Sequence, residues 1–104
     1  MGGFTFYVSR ITRYAIGDTR YAMIVHVKLY ASLRRYRPEV GLGQPFLCAV
    51  PDDATVGQLA LEILRLPSEE AAITLVNGVY QSRAHHLSDG DTVAVWPPIA
   101  GGSR

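Results

Sequence analysis

From Met23 onward, apolar and polar residues alternate in short runs separated by turn formers. Across Ile24–Tyr30, Val25, Val27 and Leu29 hold one parity, and His26, Lys28 and Tyr30 hold the other. A period of two belongs to an extended chain with one face buried, so the pattern predicts a strand with the first set inward. Residues 31–45 lose the alternation and read as a long loop with a helical turn at Ser32–Tyr36. Phe46–Val50 predicts a second strand, stopped by Pro51. Val56, Leu59, Ile63 and Leu66 then recur on one helical face. Thr55 is the expected N-cap, Gln58 completes a capping box, and Pro67 is the expected stop. Ile73–Val76 predicts a strand, and Asn77-Gly78 is a two-residue hairpin turn into Val79–Gln81. Ser88-Asp89-Gly90-Asp91 reads as a turn before a final strand, Thr92–Trp96, with Val93 and Val95 inward.

The predicted order is ββαβββ with a short fourth strand. One main helix packed on one face of a mixed sheet is an α+β arrangement, the ubiquitin-like β-grasp. Residues 1–22 depart from this regularity. Phe4, Phe6, Tyr7, Tyr14 and Tyr21 are interleaved with Arg10, Arg13 and Arg20 without a period. They are expected to be a mostly disordered extension ahead of a natural start at Met23; the alternative is a strand at Phe4–Val8 added to a sheet edge. The expected division is therefore an extension over 1–22, a β-grasp domain over 23–98 and a flexible tail over 99–104.

Composition narrows the function classes. At 104 residues, 48% hydrophobic, the chain can build one modest core. It holds no apolar run of about 18 residues and no secretory signal, so neither a membrane span nor export is expected. The single cysteine, Cys48, cannot form an internal disulfide, and its apolar surroundings predict a buried, inert thiol. A cytoplasmic location is the expectation. The net charge of +1 conceals an asymmetry: residues 1–37 carry seven Lys/Arg and one Asp, residues 38–104 three Arg and eight Asp/Glu. The cluster Arg34-Arg35-Tyr36-Arg37 suits an acidic protein partner, and nucleic acid is not the expected ligand.

No catalytic constellation stands out. The chain lacks a phosphate-cradling glycine loop, paired cysteines and a nucleophile elbow. His85-His86 has no companion at ligand spacing and reads as an exposed loop pair, so no metal site is expected. Asp89-Gly90-Asp91 reads as a turn rather than a calcium loop, and Glu69-Glu70 as a solvated loop. The folded body is expected to be a carrier or adaptor, not catalytic alone, with no bound cofactor.

The informative chemistry is at the end. Pro97-Pro98 stiffens the backbone as it leaves the domain. Ile99-Ala100 follow, and then Gly101-Gly102, whose missing Cβ atoms let a narrow channel close around the main chain. Ser103-Arg104 come last, so a carboxylate on Gly102 exists only after their removal.

Three stretches resemble the MoaD/ThiS family of ubiquitin-like sulfur carriers, most nearly the small subunit of molybdopterin synthase: Tyr30-Ala31-Ser32-Leu33-Arg34, Leu87-Ser88-Asp89-Gly90-Asp91-Thr92-Val93 and Trp96-Pro97-Pro98-Ile99-Ala100-Gly101-Gly102. The resemblance spans Met23–Gly102. It implies that an adenylating enzyme, related to those that activate ubiquitin, joins the Gly102 carboxylate to AMP from ATP. A sulfur donor then replaces AMP, giving a thiocarboxylate that transfers sulfur within the large subunit of the synthase, for a molybdenum or tungsten pterin cofactor. It also places Tyr30, Tyr80 and Trp96 in the docking patch and Arg34 at a basic contact. Alternation independently puts Tyr30 and Trp96 opposite the core residues of their strands.

Ser103-Arg104 depart from the family pattern, displacing the terminus by roughly 7 Å at about 3.5 Å per residue. Trimming by a peptidase, a non-native addition, or departure from the thiocarboxylate pathway would each account for them. Two other readings stand beside the sulfur carrier: a ubiquitin-like modifier conjugated through Gly102, and a non-catalytic binding module that uses only the sheet.

Overall fold

The computed structural model describes residues 23–41 and 44–99. The extension 1–22, and Ala100, Gly101, Gly102, Ser103 and Arg104 of the tail, lie outside the described residues.

Five strands form one mixed sheet: β1 (Met23–Leu29), β2 (Phe46–Val50), β3 (Ile73–Val76), β4 (Val79–Tyr80) and β5 (Thr92–Trp96). Their spatial order is β2-β1-β5-β3-β4, with β1 and β5 parallel and the other pairs antiparallel. A 3-10 turn at Ala31–Tyr36 and a helical segment at Gln58–Ile63 complete the described elements. This is the β-grasp, ubiquitin-like architecture, with the helical segment over one sheet face.

Alternation sets the faces as expected. Val25, Val27 and Leu29 of β1 are buried, while His26, Lys28 and Tyr30 are half-buried on the other side. Inward residues meet across the ladders, Val25 opposite Cys48, Val27 opposite Phe46 and Val93. Leu33, Val56, Leu59 and Leu87 close the core over them. Asn77 and Gly78 both have positive φ, 53° and 85°, the backbone of a type I′ hairpin turn.

The helix begins as the sequence predicts and ends differently. Thr55 N–H donates to Gln58 Oε1 at 2.9 Å, and Gln58 N–H donates to Thr55 Oγ1 at 3.2 Å, a reciprocal capping box. The segment then widens to a π geometry, with Leu64 N–H donating to the Leu59 carbonyl five residues back. That extra residue per turn carries Leu64 onto the buried face beside Leu59 and Ala60, and the predicted core residue Ile63 is half-buried at its margin. The helix stops before Pro67 because Arg65 adopts φ +60°, a left-handed cap after which Leu66 N–H reaches back to the Ala60 carbonyl. Strands β1 and β4 each end one residue before the predicted Tyr30 and Gln81.

Candidate functional site

The tail is rooted in the middle of the sheet. Strand β5 lies between β1 and β3, and its last ladder bonds are Tyr30 N–H to the Val95 carbonyl and Ala72 N–H to the Trp96 carbonyl, both 3.1 Å. Pro97 and Pro98 have no N–H, so neither can donate to a flanking strand. Ala31, with φ +54°, turns β1 aside at the same level, an unusual conformation for a residue with a Cβ. Pro97 is half-buried, Pro98 is exposed, and Ile99 is 71% exposed. The backbone therefore leaves the sheet at Pro97 and carries an unpacked isoleucine toward the glycines.

Beside that root, the Tyr30 and Trp96 rings stack at 4.2 Å between centroids with planes 6° apart. Parallel pairing across β1 and β5 places both side chains outward at the same end of the face opposite the helix. The registers extend this patch: Trp96 pairs with Ile73, Ala94 with Leu75, and Leu75 with Tyr80. Tyr80 is 67% exposed on edge strand β4, two strand spacings or about 10 Å from β5. The structure thus brings Tyr30 and Trp96 into contact and places Tyr80 on the same face without touching them. Ile73, Leu75 and Ala94 were not singled out by the sequence reading. Their opposite parity to Val76, Val93 and Val95 is the signal, readable once the β3–β5 register is known.

Arg34 stands at the rim, exposed on the 3-10 turn that follows Tyr30, and its side chain makes no hydrogen bond or ion pair among the described residues. The rest of the basic cluster is used internally. Arg35 donates to both carboxylate oxygens of Glu70, at 2.9 and 3.0 Å, and the Tyr36 hydroxyl donates to Glu70 at 3.0 Å. The hydrogen bond with Tyr36 and the Glu70 charge raise the Arg35 pKa further. Glu70 is therefore a partner of the basic turn rather than a merely solvated residue. Arg37 donates to the carbonyls of Tyr36 and Leu64 and packs its guanidinium over Phe46.

One lysine, one histidine and small or apolar residues hold the outward positions of β1, β2 and β5: Ile24, His26 and Lys28 on β1, Leu47 and Ala49 on β2, Thr92 and Ala94 on β5. None of them is acidic. The carboxylates leading into β5, Asp89 and Asp91, are engaged at the far end. Asp89 accepts from Ile24 N–H, and Asp91 accepts from Ser88 N–H and from the Asn77 amide, each at 2.8 Å. Asn77 in turn accepts from Thr92 N–H at 2.9 Å. This clamp joins the starts of β1 and β5 to the β3–β4 hairpin, so both carboxylates flanking the glycine have partners within the protein. The glycine between them, Gly90, has φ +87°.

Other candidate chemistry is dispersed. Among the described residues no three His, Cys, Asp or Glu side chains gather as a metal site. His86 forms an isolated bridge with Thr55, and the His85 carbonyl accepts from Val56 N–H. Cys48 is buried opposite Val25, and burial pushes its thiol up to about 12, the Arg37 charge opposing weakly. No described helix is long and apolar enough to cross a membrane.

The model of the Mut7-C ubiquitin family matches residues 22–101. Among solved structures, HVO 2177 of Haloferax volcanii is 28% identical, covering 77% of this chain and 87% of that one, with a TM-score of 0.61. A Pyrococcus furiosus protein described as molybdopterin converting factor, subunit 1, is 29% identical, covering 74% and 99%, with a TM-score of 0.57. SAMP1 from Haloferax volcanii shares the fold at 23% identity, covering 76% and 99%, with a TM-score of 0.53. No curated protein matches the chain by sequence.

Proposed function

Because the chain belongs to the Mut7-C ubiquitin family, with the fold shared by small ubiquitin-like modifiers and sulfur carriers, we propose that it works through its C-terminal glycine, as a sulfur carrier. An adenylating enzyme docks on the outer sheet face around Tyr30, Trp96 and Tyr80, with Arg34 meeting an acidic rim. It receives the tail and joins the Gly102 carboxylate to AMP, consuming ATP. A sulfur donor displaces AMP, and the resulting thiocarboxylate supplies a soft nucleophile to an acceptor held by a second partner, which by the likeness to the Pyrococcus furiosus protein is a molybdopterin-type synthase large subunit. The observation that supports this most is the tail root. A central strand ends beside a stacked aromatic pair, and two prolines carry the chain off the sheet into exposed residues.

The partners supply the acid–base groups, while this chain supplies a tethered reactive end. Ser103-Arg104 must first be hydrolysed from Gly102 by a peptidase. The test is intact mass of a Gly102-ending chain after incubation with ATP, the adenylating enzyme and a sulfur donor. Replacement of one oxygen by sulfur is the expected gain; a terminus adenylated but never sulfurated sinks the sulfur-carrier reading. The likeness in fold to SAMP1 favours a second reading, a modifier joined to lysines through the same glycine. Higher-mass conjugates that vanish when Gly102 is deleted would mark it.

A further inference from the structure

Strand β2 closes one side of the sheet, and among the described residues its outer edge is open. In β1 the Ile24 carbonyl accepts from Gly90 N–H, and His26 N–H donates to the Asp91 carbonyl, both at 2.8 Å. The backbone groups of these two residues therefore aim toward β5, and those of Met23, Val25 and Val27 aim at Val50, Cys48 and Phe46 of β2. That leaves the N–H and C=O groups of Leu47 and Ala49 pointing off the sheet. Among the described residues neither N–H has an acceptor, and the Ala49 carbonyl receives only a 3.9 Å contact from Cys48 Sγ. Ala49 is nonetheless only 2% exposed, and a backbone donor shut away from water calls for an acceptor. Exposed edges are commonly guarded by charges, proline or a bulge. Phe46–Val50 is apolar throughout, lies between Pro45 and Pro51, and pairs with β1 in unbroken register.

We propose that this edge is closed by the chain's own Phe4–Val8, added as a sixth strand against Leu47 and Ala49. Of the two sequence readings of residues 1–22, the open edge selects the strand. Phe4-Thr5-Phe6-Tyr7-Val8 matches β2 in length and consists of strand formers. Phe4, Phe6 and Val8 share one parity, which continues the apolar strip of Ile24, Leu47 and Ala49. Met23 pairs with Val50, so the chain enters β1 at one end of the open edge. The 14 residues 9–22 reach about 45 Å when extended, against about 10 Å from β1 to a strand beyond β2. Charge agrees with this path. Asp52 and Asp53, exposed just after β2, make no hydrogen bond or ion pair among the described residues. Residues 9–22 bring Arg10, Arg13 and Arg20 against the single Asp18. A tethered strand acts at an effective concentration on the order of millimolar, so it outcompetes a second copy for the edge. Edge-to-edge association is thereby blocked while the aromatic docking face and the tail stay free. Nothing in this depends on activation of Gly102.

Amide hydrogen exchange, read residue by residue by NMR on the full chain, tests the proposal. The comparison is the full chain carrying Phe6→Pro and Tyr7→Pro together, which breaks pairing at both parities outside the folded body. Unchanged protection of Val25 and Val93 confirms that the body is intact. Leu47 and Ala49 amides are expected to exchange at least tenfold faster in the double variant, at every protein concentration. Asp52→Asn with Asp53→Asn should speed the same two amides at least threefold at low salt. Fast exchange of Leu47 and Ala49 in the unaltered chain, or equal rates in the double variant, overturns the proposal. Protection that grows with protein concentration also overturns it, and identifies a second copy as the occupant. Unchanged rates in the Asp52 and Asp53 variant overturn the electrostatic part.

Discussion

Truncating Trp96 to alanine tests the docking face most directly. In the free protein the ring stacks on Tyr30 at 4.2 Å, and such pairs contribute about 0.5–1.5 kcal/mol beyond their area. The fold survives that loss, since Trp96 lies outside the cluster of Val25, Val27, Val93 and Leu59. In the complex proposed above the same ring would be a central aromatic anchor, and truncating such an anchor costs about 2 kcal/mol or more. At about 1.4 kcal/mol per tenfold, that is a dissociation constant for the adenylating enzyme roughly thirtyfold weaker. Titration calorimetry with the purified enzyme reads it, with circular dichroism confirming the folded state. Trp96→Phe keeps an aromatic plane over Tyr30 and is expected to recover most of the affinity. Because the two rings touch, Tyr30→Ala and Trp96→Ala should be non-additive by about 0.5 kcal/mol or more. A folded Trp96→Ala protein that binds within twofold of the parent would refute the assignment of this face.

Three further outcomes follow from the geometry. Cys48, held protonated to about 12 against an ordinary 9.0, leaves the folded state holding a proton that the unfolded state has lost. Stability is therefore untouched by this group below about pH 9 and falls as pH rises from there toward about 12, and Cys48→Ala should flatten that limb in denaturant titrations. Asp91→Ala removes the acceptor for Ser88 N–H and the Asn77 amide and should lower stability by about 1–3 kcal/mol, read as a shifted urea midpoint. Thr55→Ala removes one half of the capping box, costing about 1 kcal/mol, or roughly 4–8 °C in Tm by calorimetry.

Much of the fold was legible because local and tertiary demands agree. Alternation over β1 and β5 fixed which residues face the core, Asn77-Gly78 marked the type I′ hairpin turn, and Thr55 with Gln58 marked the helix start. The helix end was not legible. Val56, Leu59 and Ile63 fit a 3.6-residue period, yet a π turn moves Leu64 inward, a choice made by the space beneath the helix rather than by the periodicity. Likewise, nothing near Glu70 in sequence announces Arg35 and Tyr36, which lie 35 and 34 residues away.

The same division holds at the site. The proposal of a chemical handle in the tail came from the sequence alone, because Pro-Pro and Gly-Gly act through backbone properties that need no neighbours: a fixed φ, an absent N–H, an absent Cβ. The sequence also determined that Tyr30 and Trp96 face away from the core, since parity along a strand is a local property. Only the tertiary structure decided that these rings stack, that Ile73, Leu75 and Tyr80 continue their surface, and that Lys28 shares it. Those facts depend on parallel pairing of β1 with β5 and on strand register, which are set by contacts between segments far apart in the chain.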